Sequence, residues 1–320
     1  MFKKFKSGVL IIILAVLMIA YMIVRFSGSG DRTFKDKILS FDSGSITEIQ
    51  VNDPKNMEEP VRLVKSGNNW VLKTGNREYS ADTNTINSIL GNLSELPTKR
   101  YAGKGRDAWK KYEVTDSAAT LVSLLKDNKT VAELLVGKFS YEMDQSQQQM
   151  PGRQQRADIT TYVRVPDEKE VYATEGYLKM SVGGKLDTYR NRNLVNVNQN
   201  DIIRMTLSGP EGRTVIENRD GIWLNNGEPA DSLETARYRN SLARLNGTKF
   251  YNEDLGPTGA SHTLLIEGNN FNPVELKAFP SADSTVSYII SSSSNPGTFF
   301  NGKEGGLFEK IWEQGLVVSR

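Results

Sequence analysis

The residues whose spacing carries the most chemistry stand near the carboxyl terminus. "GTFFNGKEGGLFEKIW" sets Gly297 and Gly302-Lys303 in a G-x-x-x-x-G-K order, behind a strand-like "VSYII" and ahead of a helix-like run, as in a phosphate loop. Its eighth position is Glu304, where such a loop needs a Ser or Thr hydroxyl for magnesium, and a carboxylate there repels phosphate. The stretch is expected to be a turn, with no nucleotide and no cofactor. The one histidine, His262 in "ASHTLLIEG", has no nucleophile elbow to serve and is expected on a strand edge. With no cysteine, thiolate zinc sites and Cys nucleophiles are excluded, and a single histidine excludes multi-His metal centres. No catalytic or metal residue is assigned. The balance of 40 basic against 38 acidic residues gives no field for nucleic acid.

Two stretches remain as candidate contact surfaces. "GKGRDAWKKYE" gathers Lys104, Arg106, Lys110 and Lys111 around Trp109, a basic surface turn able to meet anionic lipid heads or a protein partner. "YEMDQSQQQMPGRQQRADI" is a Gln-rich insertion holding Gln147, Gln148 and Arg153, placed between strands ending near Phe139 and starting near Ile159.

The amino terminus opens with Lys3, Lys4 and Lys6, then an uncharged apolar run from Gly8 to Val24, then Arg25. At about 1.5 Å per residue the run is roughly 26 Å long, close to the hydrocarbon thickness. A single span is expected, basic end inside and body extracytoplasmic, in the cytoplasmic membrane. A cleaved signal peptide is the alternative, with small residues from Ser27 to Gly30 as its cleavage region.

The elements that would position the candidate surfaces come twice. "SITEIQVN" and "DIIRMTLSG" each open a copy as a strand. Each continues through a hairpin containing a tryptophan, Trp70 or Trp223, to Ala81-Asp82 or Ala230-Asp231. Each Asp is expected to cap a helix, with apolar positions Ile86, Ile89, Leu93 and Leu96 matched at the same offsets by Thr235, Tyr238, Leu242 and Leu245. The second face is weaker, so the second helix is expected to be the looser. Both helices lead to related segments, "PTKRYAG" and "GTKFYNE", then to a meander of about four strands. The tryptophans are expected in the core. Leu307, Phe308, Ile311 and Trp312 should dock a short carboxyl-terminal helix.

The expected fold class is α+β: an N-terminal transmembrane helix, then two tandem repeats, each a mostly antiparallel sheet packed with one main helix. The divisions are 1–30 for tail and anchor, 31–183 for the first repeat and 184–320 for the second, with Gly183-Gly184 at the join.

This order resembles the bacterial domain-of-unknown-function family 4340. The resemblance is carried by Gly67 to Leu72, Tyr79 to Asp82, Lys111-Tyr112, Leu134 to Gly137, Tyr162 to Val165 and Val171-Tyr172. "TYRNRNLV", Thr188 to Val195, is similar to the Arg-containing segment that joins repeats in that family. The chain departs from the pattern at Glu113-Val114, where a Gly-Leu-like pair is expected, and in its Gln-rich insertion. The resemblance implies a membrane-anchored extracytoplasmic protein, often associated with ABC-type export systems of the gliding-motility kind, and supplies no catalytic or ligand residues. The expectation is a non-enzymatic accessory or binding protein contacting an ABC-type transport complex. The alternatives are an anchored hydrolase of envelope glycan or peptide working through carboxylates, and a purely structural envelope module.

Overall fold

The structure, a computed structural model, describes residues 14–19, 21–22, 35–55, 59–143, 157–183, 185–253, 259–283 and 285–317. Most of the expected span from Gly8 to Val24 lies outside them. Residues 14–19 and 21–22 are helical, and among the described residues no helix is long and apolar enough to cross a membrane.

The first repeat runs β1 (Glu48–Asn52), β2 (Val61–Ser66), β3 (Asn69–Thr74), β4 (Arg77–Ser80), α1 (Thr83–Ser94), β5 (Arg100–Lys104) and α2 (Gly105–Lys111). It continues with β6 (Thr120–Lys126), β7 (Lys129–Met143), β8 (Ala157–Arg164), β9 (Glu170–Glu175) and α3 (Leu178–Val182). The second runs β10 (Ile202–Gly209), β11 (Gly212–Arg219), β12 (Ile222–Asn225), β13 (Glu228–Pro229), α4 (Ser232–Ala243) and β14 (Phe250–Tyr251). There follow β15 (His262–Gly268), β16 (Val274–Pro280), β17 (Tyr288–Ser292), β18 (Phe299–Asn301), a π-helical turn (Glu309–Glu313) and α5 (Gln314–Val317).

The duplication extends to topology. Each repeat is a nine-stranded sheet, ordered β4-β3-β2-β1-β6-β7-β8-β9-β5 and β13-β12-β11-β10-β15-β16-β17-β18-β14. In each, a four-strand meander grows outward from the centre, and a helix then carries the chain to the far edge. A second meander starts again beside the first strand and grows out to meet that edge. Three strands before the helix were expected. The fourth, β4 or β13, is a short edge strand whose polar sequence gives no apolar alternation.

Local chemistry explains the shared plan. Asp220 and Gly221 both adopt positive φ, the type I′ geometry that matches the twist of the flanking strands β11 and β12. Asp82 accepts from the backbone N–H groups of Asn84 and Thr85, and Asp231 from those of Leu233 and Glu234. These caps satisfy orphan first-turn donors, each worth about 1 kcal/mol. Behind them Ile86, Ile89, Leu93 and Leu96 are buried in the first repeat, and Thr235, Tyr238, Leu242 and Leu245 in the second. Each helix lies on a core of alternating strand residues, such as Leu63, Leu72, Val122 and Leu134 in the first repeat.

Each repeat also begins with a strap. Ile38 N–H donates to Leu96 O at 2.8 Å and Phe41 N–H to Ser94 O. In the second repeat Leu194 N–H donates to Leu245 O at 2.8 Å and Val197 N–H to Ala243 O. The segment joining the repeats is therefore the first element of the second one. Tyr189 belongs to the first core, whereas Leu194 opens the second.

The same segment locks the repeats together. Asp82 N–H donates to Tyr189 O and Asn191 N–H to Ser80 O, both at 2.8 Å, extending the edge beyond β4. Between these bonds Arg190 is buried, its guanidinium 4.1 Å from the Tyr79 ring of the first repeat and 3.8 Å from the Phe250 ring of the second. Its Nη1 donates to Asn252 Oδ1 at 2.7 Å and to Asp187 Oδ1 at 3.2 Å. Burial lowers its pKa from the usual guanidinium range, with Asp187 opposing.

Candidate functional site

The basic "GKGRDAWKKYE" stretch is not a turn. It forms the end of β5 and helix α2, lying over a small core of Tyr112, Val114, Tyr162, Val171 and Ala173. Val163 and Tyr172 belong to the main core. Strand side chains alternate in direction, so α2 covers the sheet face opposite α1.

A buried arginine holds α2 in place. Arg164, the last residue of β8, donates Nε to Val114 O at 3.0 Å, Nη1 to Pro166 O at 2.6 Å and Nη2 to Asp116 Oδ1 at 2.7 Å. Its guanidinium stacks 4.1 Å from the ring centre of Trp109, whose indole N–H donates to Lys169 O at 2.9 Å. Trp109 is thus half-buried and works as a pin, while Lys104, Arg106, Lys110 and Lys111 around it are exposed. Lys111 Nζ also lies 5.2 Å from the Tyr112 ring. The β8–β9 loop that receives Trp109 also receives the incoming chain, since Lys35 pairs with Glu168. That pairing raises the Lys35 pKa.

The structure brings the basic candidates together and leaves the other group untouched, because Gln147, Gln148 and Arg153 lie outside the described residues. What it does describe is the stem of their hairpin, which is longer than expected. β7 runs on to Met143 and β8 starts at Ala157, with Ser140 paired to Thr160 and Tyr141 to Ile159. The extra rungs follow a bulge at Gly137, where a Cβ would come within 2.2 Å of the Tyr112 carbonyl oxygen. Past it Phe139 and Tyr141 are exposed, and Phe139 packs edge-on against Tyr177 at 5.9 Å. The corresponding β16–β17 pairing has no such extension.

A polar cleft of about 760 Å³ opens at the junction of the repeats, lined by residues including Glu78, Tyr79, Asp82, Asn84 and Asn191. Its carboxylates are engaged: Glu78 pairs with Lys73 at 2.6 Å and Asp82 caps α1. Among the described residues no group of three His, Asp or Glu side chains could hold a metal ion. The Gly297 to Lys303 stretch turns into β18, with Phe300 fully buried on that strand. His262 is the first residue of β15, half-buried, its Nδ1 2.8 Å from Ser261 Oγ.

Sequence reasoning passed over Arg164 and Arg190 as functional side chains. The available signal was a charge within strand-like "TYVRV" and within the joining "TYRNRNLV", places where burial demands partners.

The family model described as a domain of unknown function (DUF4340) matches residues 151–262, from the far arm of the first repeat, through the joining segment, to the start of β15. Of the stretches that carried the resemblance, those from Tyr162 onward fall inside the match and those from Gly67 to Gly137 precede it. No curated protein and no solved structure matches the chain.

Proposed function

From a chain that belongs to the DUF4340 family through residues 151–262, we propose a single-pass, membrane-anchored extracytoplasmic accessory protein that contacts an ABC-type transport complex. One observation carries the reading: the exposed basic side chains of Arg106, Lys110 and Lys111, with Lys104 at the end of β5 just ahead, stand on a helix pinned to the loop that also receives Lys35. The expected span ends at Val24. The intervening segment, even fully extended, keeps Lys35 within roughly 40 Å of the bilayer, and the basic helix is pinned to the same loop that Lys35 meets. That is the reach at which a membrane complex or its headgroup surround would be met.

The test is affinity purification of the full chain from detergent-solubilised membranes, beside a Lys110→Glu, Lys111→Glu double variant. The expected result is co-purification of transporter subunits with the native chain and at least a roughly tenfold loss with the variant, since rim charges steer docking. Recovery of no transporter subunit, or equal recovery by both chains, overturns the reading. Protection of the body from protease added to intact spheroplasts would separately overturn the topology.

A further inference from the structure

The repeats solve one structural position in two ways. By the matching registers of the two sheets, Asp53, just past β1, is the counterpart of Gly209 at the end of β10, and Thr120 of β6 that of His262 of β15. In the first repeat that place is filled from within. Lys179 on α3 reaches in, hydrogen-bonds Thr120 and lies 3.5 Å from Asp53, whose side chain is fully buried. Burial lowers the Lys179 pKa and Asp53 opposes the shift. The first repeat thus carries an ammonium of its own there.

The second repeat has no such lysine. Gly209 takes the place of the aspartate, and a side chain at that position would strike the His262 ring at 2.7 Å. The helical segment after β18 delivers Phe308 instead of an amine. Phe308 stacks on Tyr288 at 3.9 Å and on Trp312 at 5.0 Å, and His262 stands edge-on to Tyr288 and Phe308. Beside this aromatic wall is a cavity of about 270 Å³, whose lining also includes Glu211 and Glu313 and, His262 apart, no basic side chain among the described residues.

We propose that this cavity in the second repeat binds a small organic ammonium group, a protonated or quaternary amine. The aromatic wall receives the apolar substituents of the amine, and the two carboxylates supply the charge that Asp53 gives Lys179 in the first repeat. The volume is at the small end for ligand sites, which suits a headgroup-sized amine. The site is independent of the basic helix on the first repeat and of how the chain is anchored.

Titration calorimetry on the full chain in detergent tests it, with choline and ethanolamine as soluble probes. Glycerophosphocholine represents a lipid headgroup, and 3,3-dimethylbutanol is choline's neutral isostere. Saturable binding of choline or ethanolamine is expected, with the isostere at least about tenfold weaker, because a neutral group forgoes the attraction of both carboxylates. Choline binding without glycerophosphocholine binding assigns a free amine; binding of both assigns a headgroup. A Glu211→Gln, Glu313→Gln variant, altered only at exposed positions, should weaken choline by a similar factor. No saturable binding by any cation, isostere binding equal to choline, or unchanged affinity in the variant overturns the proposal.

Discussion

Helices α1 and α4 occupy the same place in the same topology, yet they are held differently. The first presents Ile86, Ile89, Leu90 and Leu93 to its core, with Trp70 buried beneath and its indole N–H 3.4 Å from Asn87 Oδ1. The second presents Thr235, Tyr238 and Leu242, and where Leu90 stands it has Arg239, 4.7 Å from a half-buried Trp223. Burial lowers the Arg239 pKa, the mark of a cation kept partly from water. The second repeat compensates with its carboxyl-terminal helical segment, which packs Leu307, Ile311 and Trp312 into the core and accepts the Tyr238 hydroxyl at Ile311 O. One plan can thus be stabilised by an apolar helix face or by a bulkier version of the helical segment that both repeats carry after their second meander, Leu178 and Val182 in the first against Leu307, Ile311 and Trp312 in the second.

The junction offers the largest way to break this comparison. Replacing Arg190 with Met removes its stacking on Tyr79 and Phe250 and its hydrogen bonds to Asn252 and Asp187, and should cost about 3 kcal/mol. In thermal unfolding, the variant should show two transitions where the native chain shows one; a single unshifted transition would mean that the repeats are not coupled through this residue. Next come the paired core truncations. Leu93→Ala should cost about 3 kcal/mol and Leu242→Ala nearer 2, because the second helix lies among polar neighbours. Denaturant midpoints decide it, and the reverse order would make α4 the tighter helix. The smallest effects belong to the caps. Asp82→Ala and Asp231→Ala should each cost about 1 kcal/mol, slightly more for Asp82, because Thr85 Oγ1 also donates to its second oxygen. Equal midpoints would show that the extra hydroxyl bond adds nothing.

Much of this scaffold was legible. The Asp caps, the four helix offsets and the paired meanders were all written as residue types at fixed spacing, and each fell where its chemistry required. At Glu113, where the chain departs from the Gly of the family pattern it resembles, the φ of 56° is the left-handed conformation that favours glycine. What the sequence concealed depends on distant partners. Helix α2 looked like a turn because its cover over Tyr162 and its pin by Arg164 are contacts across some fifty residues of chain. The strap was hidden because Leu194-Val195 and Ile38-Leu39 are too short to show a period, and only their shared bonding to a helix end reveals them as counterparts.

The straps bear on how this protein would be divided. A second repeat excised from Ile202 onward would lose Leu194 and Val195, both fully buried, and would expose the carbonyl of Leu245 and the apolar seat beside it. A cut before Arg192 keeps both. The portable unit is therefore one that starts well ahead of its first strand, and in a longer array of such units each linker would already be part of the next fold.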